Sequence, residues 1–304
     1  MSEQIVDDFY TARNLLYIGA YPQCLSNLST LTRISADASV EKDSLQYRAY
    51  LGQGNYALIL DEIPATAQSP VLLAIRHLTL FRQAQLKGDQ AAQESAVSAV
   101  TELIAAPSNL VSSTFTAIAA QLLANAQKHD DALRILAMHP KSLECIAVTV
   151  TVYLAESRVD LAQKLVARVR TWAEDAPIAQ LAEAWTDLYV GGAKYNEAYY
   201  IFEELAQAAS VSTVRLLNAL AVTKMHLAQY PEAEGLLQEA LEKDANDSDT
   251  LANLIVCANL TGKGLDVKSR YLSQLTHAAP NHQFVRDLEA KEAEFDAISA
   301  KLSR

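Results

Sequence analysis

The fold is most apparent in residues 214–247, which read VRLLNALAVTKMHLAQYPEAEGLLQEALEKDAND. Two apolar runs flank a short turn that contains Pro231. In the first run the large Leu217 and Leu220 precede the small Ala221, and in the second Ala233 is followed four residues later by Leu237. Residues three and four apart share one face of a helix. This stretch is therefore predicted to be a pair of antiparallel amphipathic helices.

The same unit recurs along the chain, each time as a turn followed by a small or apolar anchor residue. The mean anchor spacing is about 35 residues, close to the period of 34 that is typical of tetratricopeptide repeats. The anchors are Cys24, Ile59, Ala92, Ala132, Ala162, Ala198, Ala233 and Val267.

The predicted fold is all-α: a tetratricopeptide-like α-solenoid, a right-handed superhelix of antiparallel helix pairs. Residues 1–280 are predicted to form about eight degenerate pairs, least regular between Ala92 and Ala162. Residues 281–304 are predicted to form a C-terminal capping helix, because an open stack needs a closing element. Its apolar stripe comprises Phe284, Leu288, Phe295, Ile298 and Leu302.

Composition excludes several classes of protein. Of the 304 residues 50% are hydrophobic, and this fraction argues against a disordered chain. The 9 Gly and 8 Pro are too few for the many turns of a many-stranded β fold. A net charge of −11 argues against nucleic acid as a partner. The first residues, MSEQIVDDFYTARN, lack a basic-then-apolar signal. No apolar run reaches the ~20 residues of a membrane span, so we expect a cytoplasmic chain with no direct membrane insertion.

We find no motif that would support catalysis, and we expect no enzyme activity, no cofactor and no metal. The cysteines at 24, 145 and 257 are too far apart for a CxxC pair and are predicted to be small core residues. The six histidines form no HExxH motif. Gly52-Gln-Gly54 and the 261–264 segment lack full phosphate-loop spacing and are predicted to be interhelix turns.

The aromatic residues could form a stacking platform, but their helical spacing favours packing in the core and between repeats. They are Trp172, Trp185, Tyr195, Tyr199, Tyr200 and Phe202.

A helical-pair solenoid binds partners on the concave wall that its first helices form. Counting back along the sequence from each anchor identifies the first-helix positions that would face the concave wall. The residues at these positions are chemically mixed and only weakly basic. These candidate partner-binding residues are Arg13, Arg48, His77, Asn218, Met225 and Asn253. They do not form the clustered Lys/Asn/Arg clamp with which chaperone-binding tetratricopeptide modules hold a C-terminal carboxylate.

Several segments resemble the epsilon subunits of coatomer, the coat of vesicles that move between Golgi and endoplasmic reticulum. The resemblance follows the chain order and is weakest between about residues 68 and 128. The segments are YIGAYPQC (17–24), YRAYL (47–51), LDEI (60–63), SLEC (142–145), GG (191–192), EAYYIF (197–202), AEGLLQEAL (233–241), LANLIV (251–256) and RYLSQL (270–275).

This resemblance implies a non-catalytic structural subunit of the COPI coat. It further implies binding to the C-terminal region of the alpha coatomer subunit, and recruitment to Golgi membranes with the whole coat by a small GTPase. The implied role is Golgi-to-ER retrograde and intra-Golgi vesicle transport. Two alternatives stay open: a tetratricopeptide chaperone adaptor or other protein–protein scaffold, and an enzyme with an unrecognised site.

Overall fold

The computed structural model describes residues 7–31, 35–208 and 212–302. These ranges contain seventeen α-helices, one 3₁₀ turn and no strand. In chain order the helices are α1 Tyr10–Tyr17, α2 Tyr21–Thr30, α3 Ala36–Gly52, α4 Tyr56–Glu62, α5 Pro70–Lys87, α6 Gln90–Ile104, α7 Ser113–Asn125, α8 His129–Leu136, α9 Leu143–Ala155, α10 Val159–Ala173, α11 Pro177–Val190, α12 Lys194–Ala208, α13 Val214–His226, α14 Tyr230–Lys243, α15 Ser248–Leu260, α16 Leu265–Ala278 and α17 Gln283–Leu302. Among the described residues, no helix combines the length and apolarity that crossing a membrane requires.

The helices form eight consecutive pairs, which confirms the predicted all-α, tetratricopeptide-like class. Odd-numbered helices from α1 to α15 are the first members, and even-numbered helices from α2 to α16 are the second. Six of the eight predicted anchors have no exposed surface, and each lies in the first turns of a second helix. These are Cys24, Ile59, Ala132, Ala162, Ala198 and Ala233.

The predicted anchor Ala92 is wrong, because this residue is exposed near the start of α6. The buried pair on α6 is Ala96 and Val100, four residues apart. The first turn of α6 lies outside the core, and its buried residues begin at Ala96. An anchor position counted from the loop before α6 therefore falls one turn too early. With Ala96 as the anchor, the uneven spacings around this repeat become 37 residues from Ile59 and 36 to Ala132.

The region between Ala92 and Ala162 is irregular, as predicted. A 3₁₀ turn at Asn109–Val111 precedes α7, and α8 has only 8 residues. The shortened second helix explains why the next anchor follows after 30 residues.

The described residues fall into two compact units. The first comprises the residues up to Ala84 together with Gln90–Leu216, and the second comprises Gln85–Asp89 together with Leu217 onward. The second unit has its own apolar core around Leu237, Leu251 and Leu275. The side chain of Asn281 donates to the carbonyl of Leu86 at 2.8 Å and so joins the two parts of this second unit.

The three cysteines are free and buried, which confirms that they are small core residues. Burial raises the pKa of Cys24 and of Cys145 to about 11, so both remain thiols at neutral pH.

The aromatic residues only partly follow the packing interpretation. Phe202 is fully buried, whereas Trp172 is 50% exposed and Tyr200 is 65% exposed. Trp172 is exposed because it is the penultimate residue of α10, beyond the buried Leu165 and Val169 that hold this helix.

The predicted C-terminal helix is present as α17, but only its first two turns cover the second unit. Val285 is 3% exposed and packs into the core of that unit. Phe295, Ile298 and Leu302, three members of the predicted apolar stripe, are exposed instead. The division at residue 280 into a superhelical domain and a capping helix stays a prediction, and residues 303–304 lie outside the described part.

Replacing Gly52 should destabilise the first unit. An added Cβ at Gly52 would lie 2.2 Å from the ring of Tyr21, so Gly52→Ala should cost about 1–3 kcal/mol by overpacking. Gly235→Ala is the matched control: Gly235 is exposed in α14 with nothing within 4 Å, and alanine there should add about 0.5–1 kcal/mol. Calorimetry measures whether stability falls in Gly52→Ala and rises in Gly235→Ala. An equal gain in stability in both variants would contradict the contact between Gly52 and Tyr21.

Asp187 should make stability depend on pH. This residue of α11 is 5% exposed, and burial raises its pKa from the ordinary 3.8 to about 6, although Lys194 opposes the rise. Between these two values the folded state binds the proton more tightly than the unfolded state, so the free energy of unfolding falls as pH rises from about 4 through 6.

Asp187→Asn removes the buried charge and should raise the free energy of unfolding at pH 7.5 by at most about 3 kcal/mol, and the melting temperature with it. The gain should shrink towards pH 5, where the wild-type carboxyl is protonated. Melting curves of both proteins at pH 5, 6 and 7.5 check this, and a difference that does not vary with pH would contradict it.

Candidate functional site

The helix pairs of the first unit close on themselves. The hydroxyl of Thr213 donates to the carbonyl of Ile18 at 2.7 Å across 195 positions of sequence, and Thr213 is buried. Next to this bond, the guanidinium of Arg215 lies over the ring of Tyr21, 5.5 Å from its centroid. Helix α1 also contacts α11. These contacts join the start of the unit to its end, so its first helices surround a common interior.

This interior holds a half-open cavity of about 540 Å³, which we call the central cavity. The first helices α1, α3, α5, α7, α9, α11 and α13 all contribute to its wall, as expected for the concave side of a helical-pair stack. Its polar and aromatic lining consists of Tyr17, Tyr21, Arg48, Tyr56, Arg82, Gln121, Asn125, Glu144, Thr151, Trp185 and Arg215.

An ion pair between Arg48 and Glu144 crosses this interior and connects α3 to α9. Their side chains are 17% and 15% exposed. Burial is the largest single influence and would lower the pKa of Arg48, but attraction to Glu144 and Tyr17 and the hydrogen bond to Glu144 together outweigh it, so the net pKa of Arg48 is raised. Removing one partner of such a pair leaves an uncompensated buried charge, which makes the pair a structural element of the wall.

The tyrosines of the central cavity act as neutral hydroxyl groups. Burial, with a further contribution from Glu144, raises the pKa of Tyr17 well above its usual range. Burial also raises the pKa of Tyr21, although Arg215 opposes the rise. Both phenols therefore keep their protons at neutral pH and can donate hydrogen bonds to a bound acceptor.

A second opening, the edge cavity, has a volume of about 620 Å³ and shares Tyr17, Glu144 and Ile178 with the central cavity. Two aromatic residues at this cavity are half exposed, Tyr10 at 56% and Trp172 at 50%. Tryptophan, tyrosine and arginine are enriched at the energetic centres of protein interfaces. The two cavities together present these residue types along one interior.

Arg13 and Arg48, predicted from the sequence, both line this interior. Arg13 lies in the edge cavity and pairs with Asp7 and, at 3.1 Å, with Glu41. Arg48 lies in the central cavity, where Glu144 holds it.

His77 lies half-buried in α5 and lines neither of the two cavities. Burial, and then the cation of Arg76, lowers its pKa, so His77 is neutral at pH 7.

Asn218, Met225 and Asn253 lie in the second unit. The side-chain amide of Asn218 donates to the hydroxyl of Thr250 at 2.7 Å, and the side-chain amide of Asn253 donates to the side-chain Oδ1 of Asn218 at 2.9 Å. Met225 is partly buried against the core of that unit. The partner-binding role of all six residues stays a prediction.

Sequence reasoning missed Tyr21, Arg82, Trp185 and Arg215 as lining residues. Tyr21 belongs to a second helix and Arg215 to the first turn of α13, so counting back from anchors does not reach either of them. The sequence did contain one indication for Tyr21, the glycine at position 52. Gly52 is the last residue of α3, and the ring of Tyr21 packs so closely against it that no side chain larger than hydrogen fits there.

The site presents charged, polar and aromatic side chains along two cavities. Among residues 7–31, 35–208 and 212–302, no group of three His, Cys, Asp or Glu side chains is arranged to hold a metal ion. Gly54 has φ of +76° in the turn after α3, as the interpretation of Gly52-Gln-Gly54 as an interhelix turn predicts.

Comparison with solved structures supports the fold. The chain superimposes on a chain of the APC/C Cut9-Hcn1 hetero-tetramer with a TM-score of 0.60 and 12% identity, covering 91% of this chain and 54% of that one. A tetratricopeptide repeat protein from Parabacteroides merdae gives a TM-score of 0.57 at 12% identity, covering 93% of this chain and 96% of that one.

Comparison of sequences identifies relatives of nearly equal length. Coatomer subunit epsilon-2 of Oryza sativa subsp. japonica is 36% identical over 98% of each chain. Coatomer subunit epsilon-1 of Arabidopsis thaliana is 34% identical over 95% of each chain, and coatomer subunit epsilon of Caenorhabditis elegans is 33% identical over 97% of this chain and 99% of that one. The family model for the coatomer epsilon subunit matches residues 5–303. The chain therefore belongs to the coatomer epsilon subunit family and is a subunit of the COPI coat.

Proposed function

We propose that this chain is a non-enzymatic structural subunit that binds the C-terminal region of the alpha coatomer subunit in the central cavity. Through this contact it would join the rest of the coat, lie peripherally on Golgi membranes and COPI vesicles in the cytoplasm, and take part in Golgi-to-ER retrograde and intra-Golgi transport. The observation that carries the proposal is the half-open central cavity, on which arginine and aromatic side chains converge from helices far apart in sequence.

The charge of the cavity wall indicates which segment would fit. Three arginines line the central cavity against one glutamate, and that glutamate is paired with Arg48. The chain as a whole carries −11, so this wall has the opposite sign to the rest of the protein. A segment that brings a carboxylate would be matched inside the cavity and repelled by most of the outer surface, which favours one docking geometry.

The chaperone-adaptor alternative rests on the same arginines, because they could hold an acidic peptide without any coat partner. A fluorescence titration with a short acidic peptide separates the two functions. Saturable binding at micromolar peptide supports the adaptor, whereas binding only by the alpha C-terminal region supports the coat contact.

Reversing Arg215 should weaken the complex. Arg215→Glu places a negative charge at the cavity entrance beside Tyr21, and we expect at least a tenfold loss of affinity for the purified alpha C-terminal region. The matched control is Arg134→Glu, the same charge change on the outer helix α8, where the side chain is 72% exposed. Calorimetric titration measures both; an equal affinity for the two variants would contradict the placement of the partner.

The Arg48–Glu144 pair should behave as a unit in unfolding experiments. Arg48→Met leaves Glu144 buried and unpaired, and we expect a loss of about 3–5 kcal/mol in the free energy of unfolding. The double variant Arg48→Met/Glu144→Met should recover most of this loss because no buried charge remains. Urea titrations of Arg48→Met, Glu144→Met and the double variant test the coupling, and a double variant as unstable as the sum of the two single losses would count against it.

A further inference from the structure

The distal part of α17 is a helix with one unpartnered apolar face. Its 20 residues extend about 30 Å, and every residue from 289 to 302 is exposed. Phe295, Ile298 and Leu302 are 71%, 56% and 83% exposed. Three large apolar side chains in one stripe on a surface helix commonly mark an interaction site.

The stripe has the spacing of a coiled-coil seam. Leu288, Phe295 and Leu302 are seven residues apart, and Ile298 lies three residues after Phe295. These are the a and d positions of a heptad, with Lys291 in the remaining d position. The seam from residue 288 to residue 302 covers two heptads, enough to pair with one partner helix of similar length.

The residues beside the seam carry negative charge. Asp287, Glu292 and Glu294 occupy the e and g positions that flank a coiled-coil interface, with Lys301 as the single cation among those positions between residues 287 and 301. In a parallel pair of two copies of this helix, Asp287 of one copy would face Glu292 of the other, and Lys291 would face itself. Like charges in these positions oppose self-association.

A membrane surface also fits poorly. Helix α17 carries five acidic residues against three basic ones, whereas helices that lie on anionic membranes are basic on their polar face. The charge pattern favours a protein helix instead.

We propose that the distal half of α17 docks an amphipathic helix whose apolar seam is flanked by lysine or arginine. Basic flanks would meet Glu292 and Glu294, and an acidic side chain opposite Lys291 would complete the match. A two-heptad contact is weak alone, so it would form within an assembly, where the effective concentration of the partner helix is high. This inference does not depend on the central cavity or on what binds there.

The test uses assembled coatomer that contains this chain with the photoreactive residue benzoylphenylalanine at position 295. We expect a crosslink to a helical segment with heptad apolar residues and basic flanks. The matched control has the same residue in place of Ala293, on the opposite face of α17, and should crosslink at least fivefold less. No crosslink from position 295, or a crosslink to lipid, to a second copy of this chain or to an acidic segment, would overturn the proposal.

A second experiment tests the contribution of the acidic residues beside the seam. Glu292→Lys/Glu294→Lys should reduce the crosslink yield from position 295 at least fivefold. Glu289→Lys/Asp296→Lys, an equal charge change away from the seam, should leave the yield within twofold. All four positions are exposed, so unchanged helical circular dichroism is expected for both pairs. Equal yields from the two variants would overturn the proposed basic flanks.

Discussion

Contacts across as many as 195 positions of sequence join the two ends of the first unit. Thr213 donates to the carbonyl of Ile18, and in the same segment Arg215 covers the ring of Tyr21. A stack of helix pairs buries its apolar faces between neighbours and otherwise leaves its concave wall open to solvent. Closing the stack turns that wall into the lining of the central cavity, and the polar groups on it acquire the electrostatic strength of a partly desolvated site.

The common interior of the first unit explains how an acidic chain can present a basic binding surface. The charge of −11 is spread over the sequence, while the arginines at 48, 82 and 215 are brought to one cavity by three different helices. Glu144 is part of the same wall and holds Arg48 in place. The positive charge of the cavity wall is thus a consequence of the fold. The net charge of the chain does not reveal it.

The sequence predicted most of the fold because helix pairs are local. Anchors such as Ala198 and Ala233 follow recognisable turns and pack against residues of neighbouring helices, so their spacing could be read directly. The prediction of Ala92 as an anchor was wrong because α6 has an extra turn of helix before its buried residues. Only the burial of Ala96 and Val100 shows which residues of α6 face the core.

The candidate site could be predicted only in part. Arg13 and Arg48 follow from counting along the repeat, and both line the interior. The pairing of Arg48 with Glu144 and the position of Arg215 over Tyr21 depend on contacts across 96 and 194 positions, which periodicity does not encode.

The same limit applies to α17. Its stripe is visible in the sequence, but which members are covered depends on where the preceding helices end.

A crystal structure of this chain with the C-terminal region of the alpha coatomer subunit would show where the partner binds. We predict that a segment of the alpha subunit occupies the central cavity, with a carboxylate within hydrogen-bond distance of Arg215 or Arg82. A complex in which the alpha subunit contacts only the outer second helices and leaves the central cavity empty would contradict the account.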